Sequence, residues 1–83
     1  MTNDAIIKYM ETKNQAEKAL NIHFKTRGTL TGLFIKGNDF DELSSKNFWR
    51  IVTSSNIEQW KKTKDMSLAR IFNGMEFTRL SGE

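Results

Sequence analysis

The sequence predicts an α+β domain in which one N-terminal helix packs on a small, strongly bent antiparallel sheet or barrel of about five strands. Three observations predict this class. The length of 83 residues suits a single hydrophobic core. Apolar residues near the N-terminus recur at helical spacing, and from residue 22 onward they alternate as in strands. We therefore expect one domain over 1–83, with a helix over 3–20 and a β-rich region over 22–80.

The predicted helix over 3–20 has a recognisable start. Asn3 or Asp4 can accept hydrogen bonds from the first free amides, and a carboxylate there also suits the positive end of the helix dipole. The apolar residues that fall near one face are Ile6, Tyr9, Met10, Ala16 and Leu20. This stripe indicates a helix that covers another part of the domain.

Two strands are predicted next. Ile22 and Phe24 alternate with polar neighbours, as in a half-buried strand. Gly28 separates this run from a second strand over 29–36, which carries apolar residues on both sides. Within the second strand, Gly32 is typical of a bend, a bulge or a close approach by another backbone.

A polar connection is predicted over 40–46 and a densely apolar strand over 47–53. Both 30–36 and 48–52 carry apolar residues on two faces. One face can line the interior, and the other then needs the helix or a second subunit to cover it. This pattern predicts a homo-oligomer, with a dimer as the simplest form.

The C-terminal region predicts a hairpin. Residues 67–72 and 75–80 read as two strands joined by Asn73–Gly74, because Asn-Gly readily adopts the two positive φ angles of a type I′ turn.

A helix across 56–72 is the alternative for this region. Ser55 and Glu58 match a capping box, and Asn73–Gly74 would then end the helix. The hairpin is preferred because 75–80 would otherwise lack a strand partner.

The composition argues against catalysis and cofactors. The chain has no Cys and one His, which removes disulfides, thiolate nucleophiles and multi-histidine metal sites. His23 sits among alternating strand residues, where a structural role is preferred. Gly28, Gly32 and Gly37 match no phosphate-binding loop, and the acidic residues at 39–42 match no calcium loop. We expect a non-enzyme without metal or cofactor.

The sequence also predicts a cytoplasmic protein without membrane contact. No apolar run reaches the roughly 20 residues that a membrane span needs, and the N-terminus lacks a signal-peptide pattern.

The net charge of +3 permits an anionic partner. All of the excess lies after residue 24. Aromatic residues next to cations are typical of surfaces that stack bases and follow phosphates, although a tryptophan in so small a domain can equally belong to the core. The candidate residues for single-stranded nucleic acid are Arg50, Trp60, Lys61, Lys62 and Lys64. The alternative function is a protein-interaction or oligomerisation module that uses apolar strand edges.

The chain resembles the Sm-like family of small β-barrels in its glycine and apolar spacing. The residues that carry the resemblance are Ile22-x-Phe24, Gly28 and Gly32–Leu33–Phe34 up to Asn38–Asp39, then Ile71–Phe72–Asn73–Gly74 with Phe77 and Leu80. It implies an SH3/Sm-like barrel. It does not imply RNA binding, because the family's Arg-Gly is here Asn73–Gly74 and the Lys-His pair of bacterial members is absent. The strings NFWRIV and LARIFNGMEFTRL also resemble small proteins of Bacteroidetes, which implies no function.

Overall fold

A five-stranded antiparallel sheet, with helices on both of its faces, forms the body of the fold. The computed structural model describes residues 1–12 and 18–82. The strands lie in the order β4–β3–β2–β1–β5. The elements are α1 (Asn3–Thr12), β1 (Ala19–Phe24), β2 (Thr29–Phe34), α2 (Phe40–Ser45), β3 (Phe48–Thr53), α3 (Ile57–Thr63), β4 (Arg70–Asn73) and β5 (Phe77–Gly82).

The N-terminal helix is confirmed, but its predicted end at residue 20 is wrong. Residues 13–17, including Ala16, lie outside the described residues, and β1 already begins at Ala19. Leu20 is fully buried and pairs with Gly32 on one side and Gly82 on the other. Pairing on both sides of β1 therefore outweighs the helical spacing of its first residues. Thr2 caps α1, since its Oγ1 accepts a hydrogen bond of 3.2 Å from the Ala5 amide.

Two apolar clusters form on opposite faces of the sheet. The larger one joins Ile6 and Met10 of α1 to strand residues Leu20, Ile22, Phe24, Phe34, Trp49, Ile51, Phe77 and Leu80. The smaller one joins Leu33, Ile35 and Val52 to Ile57 and Trp60 of α3. The prediction that β2 and β3 bury apolar residues on both faces is therefore confirmed, and α3 covers the second face.

Gly32 marks a close approach of two strands, as its position in the sequence suggests. A Cβ at this position would lie 2.5 Å from Cγ2 of Ile51 and 3.2 Å from the carbonyl oxygen of Val52. A larger residue would therefore push β2 away from β3.

The predicted C-terminal hairpin is wrong. β4 pairs with β3, whereas β5 crosses to the far side of the sheet and pairs with β1. Asn73 has φ −87° and ψ 118°, and no glycine in the described residues has positive φ, so no type I′ turn forms. Instead the Asn73 Oδ1 accepts a 2.9 Å hydrogen bond from the Met75 amide and caps a one-turn 3₁₀ helix over Gly74–Glu76.

The sheet consequently stays open. Within the described residues β4 pairs only with β3 and β5 only with β1, so the strands do not close into a barrel. The expected sheet of five strands is confirmed in its open form.

Two further stretches differ from the predictions. The connection expected over 40–46 contains α2. The alternative helix over 56–72 is correct only for its first half, because α3 ends where Lys64 adopts a left-handed conformation with φ 55°. The chain then extends into β4. None of the helices in the described ranges is long and apolar enough to span a membrane.

Candidate binding surfaces

Three of the four predicted cationic residues, Lys61, Lys62 and Lys64, lie on α3 or directly after it, and the fourth, Arg50, lies on β3. Ile57 and Trp60 pack from α3 onto the sheet, and this orients the helix. Lys64 follows the helix, and its left-handed backbone brings its Nζ to 4.1 Å from the centre of the Trp60 ring. Trp60 is half-buried, and its indole Nε1 is buried without a hydrogen-bond partner among the described residues. Trp60 thus belongs partly to the core and partly to the surface.

The other two lysines of α3 are exposed. The Lys62 Nζ lies 3.8 Å from the Glu58 Oε1, a solvent-exposed pair of small energetic effect. In the part of the chain that the structure describes, Lys61 has no carboxylate within 4.0 Å. Lys61 is therefore the more available cation of the two.

Arg50 on β3 is bound to Asp39 in a two-pronged ion pair. Its Nε and Nη2 donate to the two carboxylate oxygens of Asp39 at 3.2 and 2.7 Å. The hydrogen bond from Arg50 lowers the pKa of the Asp39 carboxyl, and the same bond raises the pKa of the guanidinium. Much of the Arg50 charge is therefore balanced within the protein.

Two of the predicted residues, Trp60 and Lys64, line a small cavity, which we call the Trp60 pocket. Its volume is about 220 Å³, and its lining is mostly apolar, with Lys36 and Lys64 as its two cations. The apolar lining residues are Met10, Leu33, Phe34, Ile35, Trp60 and Met66. Arg50 lines a neighbouring cavity that shares Met66. The structure thus brings Trp60 and Lys64 together with Arg50 close by, whereas Lys61 and Lys62 line neither cavity.

Strand β4 and the exposed residues next to it form a second surface, which we call the β4 edge: Arg70–Asn73 with Phe48 of β3 and Met75 of the 3₁₀ helix. Phe48 pairs with Asn73 across β3 and β4, and Met75 follows β4 in the 3₁₀ helix. Four large apolar side chains are exposed in the described residues. Three of them, Phe48, Ile71 and Met75, belong to the β4 edge, and Ile71 is 51% exposed. The sequence analysis missed this surface because it assigned these residues to a hairpin.

Two arginines face a cleft of about 370 Å³ beside the β4 edge. The Arg27 guanidinium lies 4.7 Å from the centre of the Phe24 ring and 6.0 Å from that of Phe72. Arg70 and Glu76 also line the cleft. Arg27 and Arg70 therefore line this cleft, whereas Lys36 and Lys64 line the Trp60 pocket.

His23 lies in a hydrogen-bonded row on the outer face of β1. Its Nε2 is 3.0 Å from the Ser81 Oγ, and its Nδ1 is 3.0 Å from the Thr29 Oγ1. Both ring nitrogens are thus engaged by hydroxyl groups of neighbouring strands, as a structural role requires. Across 1–12 and 18–82, no three His, Cys, Asp or Glu residues come together in a group that could hold a metal ion.

No family model matches the chain, and neither a curated protein nor a solved structure is significantly similar to it. The function is therefore proposed from the geometry of the Trp60 pocket and the β4 edge.

Proposed function

We propose that the protein is a non-enzymatic, cytoplasmic interaction module that associates with a second copy of itself through the β4 edge. The observation that carries this proposal is that three of the four large apolar side chains exposed in the described residues, Phe48, Ile71 and Met75, lie on β4 or next to it, and that β4 has a strand partner on one side only there. Contiguous exposed apolar surface is uncommon on monomeric proteins and is typical of interaction sites.

The backbone of β4 supports the same proposal. Among the described residues, only β3 makes backbone hydrogen bonds to the ladder of β4, so its other side is free to pair. Free strand edges readily add a strand from another chain. Phe48 and Ile71 share one face of the β3–β4 pair, because they are diagonal neighbours in its register. A strand added there would extend both the sheet and this apolar surface.

The charge distribution along β4 favours an antiparallel, two-fold arrangement. Arg70 begins the strand and Asn73 ends it. If two β4 strands pair in opposite directions, Arg70 lies opposite Asn73 of the partner subunit, and the two arginines stay apart. Ile71 then lies near the centre of the contact. Such an isologous contact closes as a dimer.

Sedimentation equilibrium at high micromolar concentration tests this proposal. We expect a mass of twice 9.6 kDa. Ile71→Lys should yield a monomer, because it introduces a charge at the centre of the contact. Thr78→Lys, at an exposed position of β5, is the matched control and should stay dimeric. A clean 9.6 kDa monomer for the unmodified protein contradicts the proposal.

Single-stranded nucleic acid is the second candidate, through Arg50, Trp60, Lys61, Lys62 and Lys64. The observation in its favour is that Lys61 and Lys64 make no ion pair within the described ranges and lie on one short helix and its end. The Sm-like resemblance stays a proposal: it implies a closed barrel, whereas the described strands form an open sheet with α2 and α3 between them. The terminal hairpin that also entered that resemblance is not formed.

Fluorescence anisotropy with a labelled single-stranded oligonucleotide tests the second candidate. Binding should weaken steeply with salt, with a slope of about −0.7 per phosphate neutralised. The variant Lys61→Gln with Lys62→Gln should reduce that slope by about 1.4. The charge-matched variant Lys8→Gln with Lys18→Gln should leave it unchanged. Absence of binding at low salt rejects this candidate.

A further inference from the structure

The cleft of about 370 Å³ beside the β4 edge, which we call the arginine cleft, lies between β4 and the turn that joins β1 to β2. Arg70 and Phe72 line it from β4, and Arg27 lines it from the turn. The two sides are held together, since the Lys25 amide donates a 2.9 Å hydrogen bond to the carbonyl oxygen of Glu76, in the 3₁₀ helix that follows β4. The walls of the cleft are therefore fixed by the fold itself.

Both arginines lie next to the ring of Phe72. In the register of β3 and β4, Phe72 pairs with Trp49 and Arg70 pairs with Ile51, two residues of the larger apolar cluster. Because alternate residues of a strand share a face, Arg70 lies on the same face of β4 as Phe72. From the other side of the cleft, the Arg27 guanidinium lies 6.0 Å from the centre of the Phe72 ring. The two cations thus flank the same ring.

The donors of both guanidinium groups are available. The arginine side-chain hydrogen bonds of the described residues all come from Arg50, and neither Arg27 nor Arg70 makes an ion pair there. The Arg27 guanidinium lies 4.7 Å from the centre of the Phe24 ring, and such stacking leaves its N–H donors free in the plane of the group. Glu76 also lines the cleft, but its carboxylate oxygens lie more than 4.0 Å from the nitrogens of both arginines. Within the described residues, the cleft therefore holds two unpaired cations and one carboxylate.

We propose that the arginine cleft binds a phosphate monoester with a small apolar body. A carboxylate has two oxygens, which one guanidinium fork can engage fully, whereas a phosphate monoester has three terminal oxygens and a charge close to −2 at pH 7. It can therefore accept hydrogen bonds from both arginines at once, while its apolar body packs against Leu30 and Phe72. The volume of the cleft lies within the range of small-molecule sites. The proposal goes beyond the self-association proposed above, whose central residue, Ile71, lies on the opposite face of β4, although it also borders the cleft.

Titration with phenyl phosphate, followed by ¹H–¹⁵N NMR of the arginine Nε–H groups, tests the proposal. The resonances of Arg27 and Arg70 should both move and saturate, with one dissociation constant at or below about 5 mM. The resonance of Arg79 is the internal control and should not move, because this exposed residue of β5 does not line the cleft. Benzoate, with two oxygens, and methyl phenyl phosphate, with a single charge, should each bind several-fold more weakly.

Substitutions of the charged lining residues should act in opposite directions. Arg27→Gln and Arg70→Gln should each raise the dissociation constant for phenyl phosphate about fivefold, the upper range for an exposed ion pair. Glu76→Gln should lower it about two- to threefold, because it removes the carboxylate that repels the phosphate. Arg79→Gln is the charge-matched control and should leave it unchanged.

Three results would each overturn the proposal. The first is that the Arg27 and Arg70 resonances do not respond at several times the expected dissociation constant. The second is equal binding of benzoate or of the diester, which would show a general anion site or a site for a nucleic-acid backbone. The third is that Arg79→Gln weakens binding as much as Arg27→Gln does, which would show attraction by net charge alone.

Discussion

The two edge strands of the sheet, β4 and β5, differ in how much apolar side-chain surface they expose. At the β5 edge, Phe77 is fully buried, and the Met1 amino nitrogen donates hydrogen bonds to the carbonyl oxygens of Gly74 and Phe77 at 2.9 and 2.6 Å. At the β4 edge, Ile71 is half exposed, and the described residues offer no further backbone partner. The Met1 contacts thus cover the start of β5 and the turn before it. Both edge strands have a single strand partner in the described residues, but the exposed large apolar side chains lie at β4, which is why we propose the interaction surface there.

The largest expected effect comes from shortening Phe77, the fully buried side chain at the start of β5. Phe77→Ala should lower the free energy of unfolding by about 3–5 kcal/mol, because it opens a cavity against Phe24 and Phe34. Ile71→Ala, at the open edge, should cost less than about 1 kcal/mol, since little apolar area is lost there. Urea denaturation at low protein concentration measures both values. Equal losses of unfolding free energy for the two variants would contradict the difference in side-chain burial between β5 and β4.

The next largest loss of stability is expected in the connection from β4 to β5, which begins at Gly74. A Cβ on Gly74 would collide with the side chain of Asn47. Asn47 itself holds the Trp49 indole and donates to the Met1 carbonyl oxygen. Gly74→Ala should therefore cost about 1–3 kcal/mol. Gly28→Ala has open space around its new Cβ and should be close to neutral, so similar unfolding curves for the two variants would refute this role of Gly74.

A smaller loss of stability is expected at Asn73, and it distinguishes the observed 3₁₀ connection between β4 and β5 from a hairpin turn. The Asn73 side chain caps the 3₁₀ helix through the Met75 amide. Asn73→Ala should cost about 1 kcal/mol, and Asn73→Asp, which keeps an acceptor oxygen, should cost less. Asn73→Gly would be tolerated in a type I′ turn, but here it removes the cap and should also destabilise. Thermal unfolding of the three variants decides between the two geometries.

The smallest expected effect is a pH dependence on the β4 side of the sheet, where Arg50 holds Asp39. The pKa of Asp39 is lowered in the folded protein by this hydrogen bond. The pair therefore stabilises the fold fully above the unfolded carboxyl pKa of about 3.9, and this contribution is lost as the pH falls through the lower folded pKa. Asp39→Asn should flatten this part of the stability profile below about pH 4. Unchanged acid unfolding would contradict the assignment.

Local patterns predicted the elements better than their partners. Alternation at Ile22 and Phe24 and the apolar run at 48–52 correctly indicated β1 and β3, because burial on a pleated surface imposes a period of two. The Asn73–Gly74 pair was misleading, since the same two residues can form a hairpin turn or cap a short helix. Their backbone angles depend on whether Phe77 is buried next to β4 or on the far side of the sheet.

The candidate site was predicted only in part for a similar reason. The sequence identified Trp60 and Lys64 by their types and proximity. Their joint position at a pocket depends on α3 packing against Leu33 and Ile35, which come from a distant part of the chain. The β4 edge could not be predicted at all, because the exposure of Ile71 and Met75 depends on which parts of the fold pack against them.

By itself, the sequence determined the α+β class, the helix-first order and the strands that carry the core, since these depend on spacing between near neighbours. Only the tertiary structure decided that the strands of the described residues form an open sheet, that Arg50 is bound to Asp39, and that the Trp60 Nε1 has no hydrogen-bond partner within 1–12 and 18–82. These features depend on contacts between residues far apart in the chain. Their geometry is fixed only when the whole core packs.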